Sequence, residues 1–467
     1  MSVLIPALGL IMFGAVFLLL PFGFPVGFTL MGVALLFSVI GHLLGAFDLP
    51  LLTALPQRLI GLMENDLLQA IPMFVYLGVI MQRTTLAAEL LEAMSSLFGS
   101  RAGGLSISTV ILGALLAPTT GAVGASVLTL GLLALPAMLA AKYRKSLACG
   151  VVCSAGTLGT VLPPSIILIV LADLMRGANA EAQIMRGEDV HGALIIRDIY
   201  VAMLGPVGLL LALYLLYVIG VAIFRPSACP PPSELRPRLP WTRLLVVVIG
   251  PLAFMVLLLA SIVTGTIYTV EAAALGAIVA TVYAWARGEL NWQRWAETVR
   301  MVMRLTGMMF LLLMGASTFT LVFRGLNGTQ AVHGLLAMLP GGLNFAMLPG
   351  GLNFAVFAVF AVTFCFGFFL DALEIVLLVV PIAMPPLLAL GAPPLWITAL
   401  MALTVQTSFL MPPSGFALFF LRSIAHREVT TRDIYRGALP FIVIQLFAIA
   451  LLWRFPELAT ALPALLD

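Results

Sequence analysis

The chain has 467 residues, of which 62% are hydrophobic and only 9% charged, and its mean hydropathy is +1.15. Soluble domains carry about 25% charged residues, so a water-soluble globular fold is excluded, and no run of ~10-residue alternating strands points to a β-barrel. Repeated apolar stretches of roughly 20 residues specify an all-α polytopic membrane protein that meets a lipid bilayer rather than nucleic acid, with a net charge of only +3.

The first 20 residues lack the basic start and small-residue cleavage site of a signal peptide and read as the first span. Spans are expected around 3–21 and 26–44. Pro56 to Gln69 is amphipathic and suits the membrane interface, and a span centred on Gly78 follows. The stretch LAPTTGAVGAS, Leu116 to Ser126, then sets small and hydroxyl residues in the middle of an apolar run. After the basic loop AKYRKS (Ala141 to Ser146) comes SAGTLGTVLPPSIILIV, Ser154 to Val170, which carries Pro163 and Pro164 at mid-depth. Phe224 to Arg243 is a proline-rich polar linker.

Beyond the linker the order returns. Spans are expected at 244–264 and 270–286, then the amphipathic NWQRWAETVRMVMR (Asn291 to Arg304), a span centred on Gly315, and FGFFLDALE (Phe366 to Glu374). LPPS at Leu162 to Ser165 recurs as MPPS at Met411 to Ser414, and RDIYVAMLGP at Arg197 to Pro206 recurs as RDIYRGALPF at Arg432 to Phe441. The chain therefore divides into related halves, 1–224 and 244–467, with hairpin tips near 119–126 and 367–371 and broken helices over 147–173 and 397–421. A nine-residue tandem copy, AMLPGGLNF at 337–345 and 346–354, reads as slippage in a loop.

Charge decides how the halves relate. With AKYRKS cytoplasmic, most of the basic residues fall on the same side, including those of 225–243, 287–304 and 422–436. The counterpart of AKYRKS in the second half is LGAPPLW, Leu390 to Trp396, which has no charge. The repeats are therefore inverted, as in many secondary transporters, and both termini are expected to be periplasmic. For the basic loops to keep their side, the segments at Leu116 to Ser126 and Phe366 to Glu374 must each be the tip of a re-entrant hairpin.

Irregular backbone at bilayer depth must be buried in protein or line a cavity. Pro163 and Pro164 remove two donors, Gly156 and Gly159 permit open geometry, and the freed carbonyls are oxygen ligands for a small cation. Asp371 is costly in an apolar segment and stands as a candidate ion or proton carrier. Glu374 and Glu271 are read either as interface or as helix-packing residues. Thr404, Gln406, Thr407 and Ser408 offer hydroxyls and an amide just before the second Pro-Pro. Cys149 and Cys153 read as small packing residues, and His42, His191, His333 and His426 are too scattered for a relay.

LAPTTGAVGASVLTLGLLALPAM, SAGTLGTVLPPSI and QTSFLMPPSGFALFF, in this order, resemble the large membrane subunit of tripartite ATP-independent periplasmic (TRAP) transporters, with TTG and QTSF similar to the mannitol or chloroaromatic branch. The chain departs from the family at YTVEAAA, where Val270 replaces a threonine, and at Met411, often threonine there. The resemblance implies an elevator-type carrier driven by Na+ in the bacterial inner membrane, with no enzymatic activity. A periplasmic solute-binding protein would deliver a small organic acid, and a small four-span membrane subunit, for which this chain is too short at its start, would be a separate partner. Carried over, one Na+ site would involve Thr120, Gly159, Leu162 and Pro164. The other would involve Gly367, Ser408, Met411 and Ser414 beside Asp371, and the solute carboxylate would lie near Thr157 and Gln406. No other metal and no organic cofactor is expected.

Overall fold

The computed structural model describes residues 4–98, 101–120, 123–189, 194–231, 240, 245–338, 351–412, 415–426 and 428–466. Ten helices precede the linker: α1 (Leu4–Leu19), α2 (Val26–Leu43), α3 (Leu55–Glu64), α4 (Asp66–Arg83), α5 (Leu86–Phe98), α6 (Gly104–Thr120), α7 (Val123–Ala140), α8 (Lys145–Thr157), α9 (Ile166–Met185) and α10 (Ile196–Phe224). After it come α11 (Gly250–Val263), α12 (Thr269–Ala286), α13 (Trp292–Gly325), α14 (Gly328–Met338), α15 (Gly351–Phe366), α16 (Ala372–Ala389), α17 (Pro394–Ser408), α18 (Phe416–Ile424), α19 (Thr431–Arg454) and α20 (Glu457–Leu466).

Laid side by side, the halves follow the same order of elements, apart from one merged helix and the added α20 (Glu457–Leu466) at the end. The α6–α7 pair answers to α15–α16, α8 and α9 answer to α17 and α18, and the two RDIY motifs open α10 and α19. The expected spans near both half-starts are α1, α2, α11 and α12. The first half breaks its amphipathic segment from its glycine-centred span at Asn65, whereas the second half runs both together as the 34-residue α13. At 1.5 Å per residue α13 is about 50 Å long, well beyond a hydrocarbon core of about 30 Å.

By length and composition, seven described helices can cross a membrane, or eight when α4 and α5, bent by 63°, count as one span. The chain is a multi-pass membrane protein. The shorter apolar helices include the first arm of each hairpin, 104–116 and 352–366. These arms of sixteen and seventeen residues rise only about 25 Å, and α1 and α11 are as short. The first turn itself, Gly121 and Ala122, and most of the tandem copy lie outside the described residues.

The helices cluster into two compact units, each drawing on both halves of the sequence. One comprises residues 1–69, 170–195 and 303–397. Here α1 packs on α2 and α14, and α15 on α16. Phe17 stacks on Phe366 with ring centroids 4.5 Å apart, and Phe13 lies 5.7 Å from the same ring. Asp173 accepts hydrogen bonds from Asn65 at 2.8 Å and Arg176 at 2.9 Å.

The other unit comprises 70–169, 196–302 and 398–467, and α8 is its axis. Every residue from Leu147 to Val161 is buried, and α6, α7, α18 and α19 all pack on α8. Its crossing with α19 is a backbone contact: a Cβ on Gly150 would stand 2.1 Å from the Gly437 carbonyl oxygen, and one on Gly437 2.0 Å from that of Ser146. Only glycine fits either place. Cys149 and Cys153, both buried on α8, fill space as expected, and the Cys153 thiol lies 3.7 Å from the Ala417 carbonyl.

Candidate functional site

Two interrupted helices meet inside this second unit. The first opens after Thr157, passes through a 3-10 turn (Leu158 to Thr160) and restarts at Ile166. In an unbroken helix the carbonyls of Gly159 and Thr160 would bond to the N–H groups four residues on, but those residues are Pro163 and Pro164. Thr160 recovers a partner, since the Ser165 hydroxyl donates to its carbonyl at 3.2 Å. Among the described residues no such replacement bond is seen for the Gly159 carbonyl. Gly159 and Pro164 are buried and Leu162 is half-buried, so the expected ligand carbonyls sit in a water-poor setting.

The second break opens after Ser408. Pro412 and Pro413 deprive the Ser408 and Phe409 carbonyls of helical partners, and both are rescued: Met411 N–H donates to Ser408 at 3.2 Å and Ala417 N–H to Phe409 at 3.2 Å. Gly415 makes this possible, because a Cβ there would stand 2.5 Å from the Phe409 carbonyl oxygen and 2.8 Å from that of Met411. Ser408 is buried and Met411 half-buried. The two breaks are thus related in sequence but not equivalent in wiring; the first retains the more open backbone.

A hydrogen bond between two side chains joins them. Gln406, from α17, donates to the Thr157 hydroxyl at the end of α8 over 3.4 Å, and both residues are fully buried. The two residues expected near the solute are therefore neighbours, 249 positions apart in sequence. Sequence reasoning missed what stands behind them. Gln445 on α19 donates to the Tyr214 hydroxyl on α10 at 2.7 Å, and that hydroxyl is in turn a polar neighbour of Thr157. A buried amide in an apolar span was the available signal for Gln445.

The remaining expected residues are placed as follows. Thr120 ends α6, with its side chain outside the described residues, and so is Ser414. Gly367, buried, and Asp371, half-buried, belong to the hairpin α15–α16 of the first unit, where Asp371 stands at the N-terminal cap of α16. The Glu374 carboxylate there accepts the Asp371 N–H at 2.9 Å. Glu271 does the same for the Tyr268 N–H at the start of α12, also at 2.9 Å. Both glutamates, which the sequence leaves between two roles, satisfy helix ends. Among the described residues no group of three or more His, Cys, Asp or Glu side chains could hold a metal ion.

Comparison with known proteins accords with this architecture. The C4-dicarboxylate TRAP transporter large permease protein of Pseudomonas aeruginosa is 26% identical over 88% of this chain and 89% of its own. The ectoine/5-hydroxyectoine TRAP transporter large permease protein of Ruegeria pomeroyi is 26% identical over 93% of this chain and 94% of its own. The sialic acid TRAP transporter large permease protein of Vibrio cholerae is 24% identical over 95% of each chain. Among solved structures, the Alcanivorax borkumensis YdaH transporter superposes with a TM-score of 0.57 over 87% of this chain and 88% of that one, at 19% identity, a likeness of fold. These relatives are permease subunits rather than enzymes. Residues 13–458 match the model of the tripartite ATP-independent periplasmic transporter DctM component, and the chain belongs to that family as a large membrane subunit.

Proposed function

We propose that the chain is the large permease of a Na+-driven importer of small organic acids in the bacterial inner membrane, with both termini periplasmic. A periplasmic binding protein supplies the solute and a small four-span subunit completes the membrane part. The observation that carries this reading is the contact between Gln406 and Thr157. It ties the two Pro-Pro breaks, one from each half, into one compact unit, as an elevator carrier requires if ion and solute sites are to travel as one body. The names of related permeases, C4-dicarboxylate and sialic acid among them, support an organic acid as cargo.

In this mechanism the Gly159 carbonyl, left without a helical partner, and the neighbouring Leu162 and Pro164 carbonyls supply oxygen to a dehydrated Na+, with Thr120 at the hairpin end as a further ligand. Ser408 and Met411 play the equivalent part at the second break, and Asp371 is a separate candidate ion or proton carrier. Binding of Na+ neutralises the negative ends of the half-helices and makes the site receptive to an anion. The test is uptake of radiolabelled organic acids by proteoliposomes that contain this chain and its small subunit. Uptake is expected to require both an inward Na+ gradient and the binding protein. Equal uptake from Na+-free buffer would rule out the coupling.

A further inference from the structure

The Gln406 carboxamide has an end that the reading above leaves unused. The Thr157 hydroxyl donates its only proton to the Ser154 carbonyl at 2.9 Å, so it can meet Gln406 only as an acceptor. That fixes the amide: Nε2 faces Thr157, and Oε1 points the other way. Gln406 is 0% exposed, and among the described residues its Oε1 has no hydrogen-bond partner. A buried oxygen of this kind is costly to leave unmatched.

The surroundings share its polarity. The Thr160 hydroxyl donates to the Thr157 carbonyl at 2.9 Å, Thr407 to Leu403 at 2.7 Å and Ser408 to Val405 at 2.7 Å. Every one of these hydroxyls spends its proton on its own helix and turns lone pairs outward. Thr157 is the last residue of α8 and Gln406 lies in the last turn of α17, so two helix C-termini, each with negative partial charge, meet here. Segments 154–165 and 403–412 contain no Lys, Arg or His. Such a place repels a carboxylate and attracts a cation.

We propose that Gln406 Oε1 is a side-chain ligand for a monovalent cation where α8 and α17 meet, and that the solute carboxylate is held elsewhere. The proposal rests on the Na+-coupled reading and moves Gln406 from the solute to the ion. Thr157 is then a positioning residue, which acts by holding Nε2 and thereby aiming Oε1.

The experiment follows thermal unfolding of the purified full-length chain in detergent as NaCl replaces choline chloride at constant ionic strength. A ligand that binds only the folded state raises the midpoint in proportion to its occupancy. Gln406→Leu is expected to raise the half-saturating Na+ concentration about tenfold, while its midpoint in choline chloride stays near that of the unaltered chain. Gln406→Glu keeps an oxygen in place and should bind Na+ at least as well. Thr157→Val, which leaves Gln406 present but unaimed, should weaken the response several-fold and serves if Gln406→Leu does not fold. Variants at both positions that titrate like the unaltered chain overturn the proposal and leave Na+ coupling intact. An unaltered chain that does not respond to Na+ overturns the coupling itself, and the proposal with it.

Discussion

Asp371 has a place in the fold that its cap geometry explains and, in the proposed function, a part in transport. Its extended backbone (φ −75°, ψ 165°) places it at the cap of α16, and the Glu374 side chain closes the turn by accepting its N–H. A carboxylate in an apolar hairpin invites a functional reading, but cap geometry alone would also retain an aspartate there. The substitution that separates the two is Asp371→Asn, because asparagine caps a helix as well as aspartate does. We expect the variant to insert and to keep its unfolding midpoint within about 0.5 kcal/mol of stability, while proteoliposome uptake falls at least tenfold, the scale of about 1.4 kcal/mol in binding. Uptake that is unchanged would confine Asp371 to capping. Glu271 at the start of α12 has the same capping contact without an aspartate beside it, since Tyr268 occupies the cap. The YTVEAAA departure thus falls at a helix start whose glutamate contact is intact.

At the scale of elements, the most legible features in the sequence were the breaks, because Pro-Pro removes backbone N–H donors at fixed positions whatever packs around them. The hairpins were inferred from the side on which the basic loops must lie, an argument from charge that helix length neither adds to nor replaces. The continuity of α13 was not legible, since nothing in NWQRWAETVRMVMR marks whether it joins the span that follows. Nor was the wiring around the α4–α5 bend. There Glu289 accepts from both the Thr85 N–H at 2.9 Å and the Thr85 hydroxyl at 2.5 Å, while Arg287 pairs with Glu89 and Arg83 with Glu297 at 3.1 Å. Partial burial pushes the Glu289 carboxyl up, but the Thr85 hydrogen bonds and Arg287 outweigh it and hold the group below its ordinary value of 4.5. A depressed carboxylate contributes stability that is complete above the unfolded-state value and is lost as pH falls through the folded-state one. Glu289→Gln should therefore cost up to about 1 kcal/mol near neutral pH and lose less stability than the unaltered chain on acidification below pH 4.5. Parallel acid curves for the two proteins would refute this. The α8–α19 crossing makes a sharper demand. Gly150→Ala forces a methyl against backbone oxygen and is expected to cost at least ~2 kcal/mol, whereas Gly208→Ala on α10, which meets open space, should gain about 0.5–1 kcal/mol. Unfolding midpoints of the two variants decide it; equal shifts would mean that the helices can separate without penalty.

For the whole molecule, the internal repeat predicts how the chain is organised in sequence but not how it is partitioned in space. Repeats connected by a polar linker suggest two bodies joined by a tether. The compact units instead take pieces from both sides of the linker. The reason lies in particular contacts: α8 of the first half has its closest approach with α19 of the second, glycine against glycine, and the Tyr214–Gln445 hydrogen bond pairs α10 with α19. No local pattern announces such a pairing, because Gly150 and Gly437 are ordinary small residues until their partner is known. The start of the linker is also tied down, with the Arg144 N–H donating to the Ala228 carbonyl and the Gly103 N–H to that of Cys229, each at 2.9 Å. These bonds span the approach to α6 and the exit from α7, so the residues just past α10 belong structurally to the first hairpin's base. Cutting the chain downstream of them should therefore not divide the protein. When residues 1–231 and 245–467 are co-expressed as separate polypeptides with an affinity tag on only one, both should be recovered together in mild detergent in equal amounts. Gly437→Leu in the second fragment, which cannot close against Ser146 and Gly150, should lower that recovery strongly. Halves that elute independently, or a Gly437→Leu fragment that is retained as well as the unaltered one, would show that the connection through the linker, and not the α8–α19 contact, keeps the halves associated.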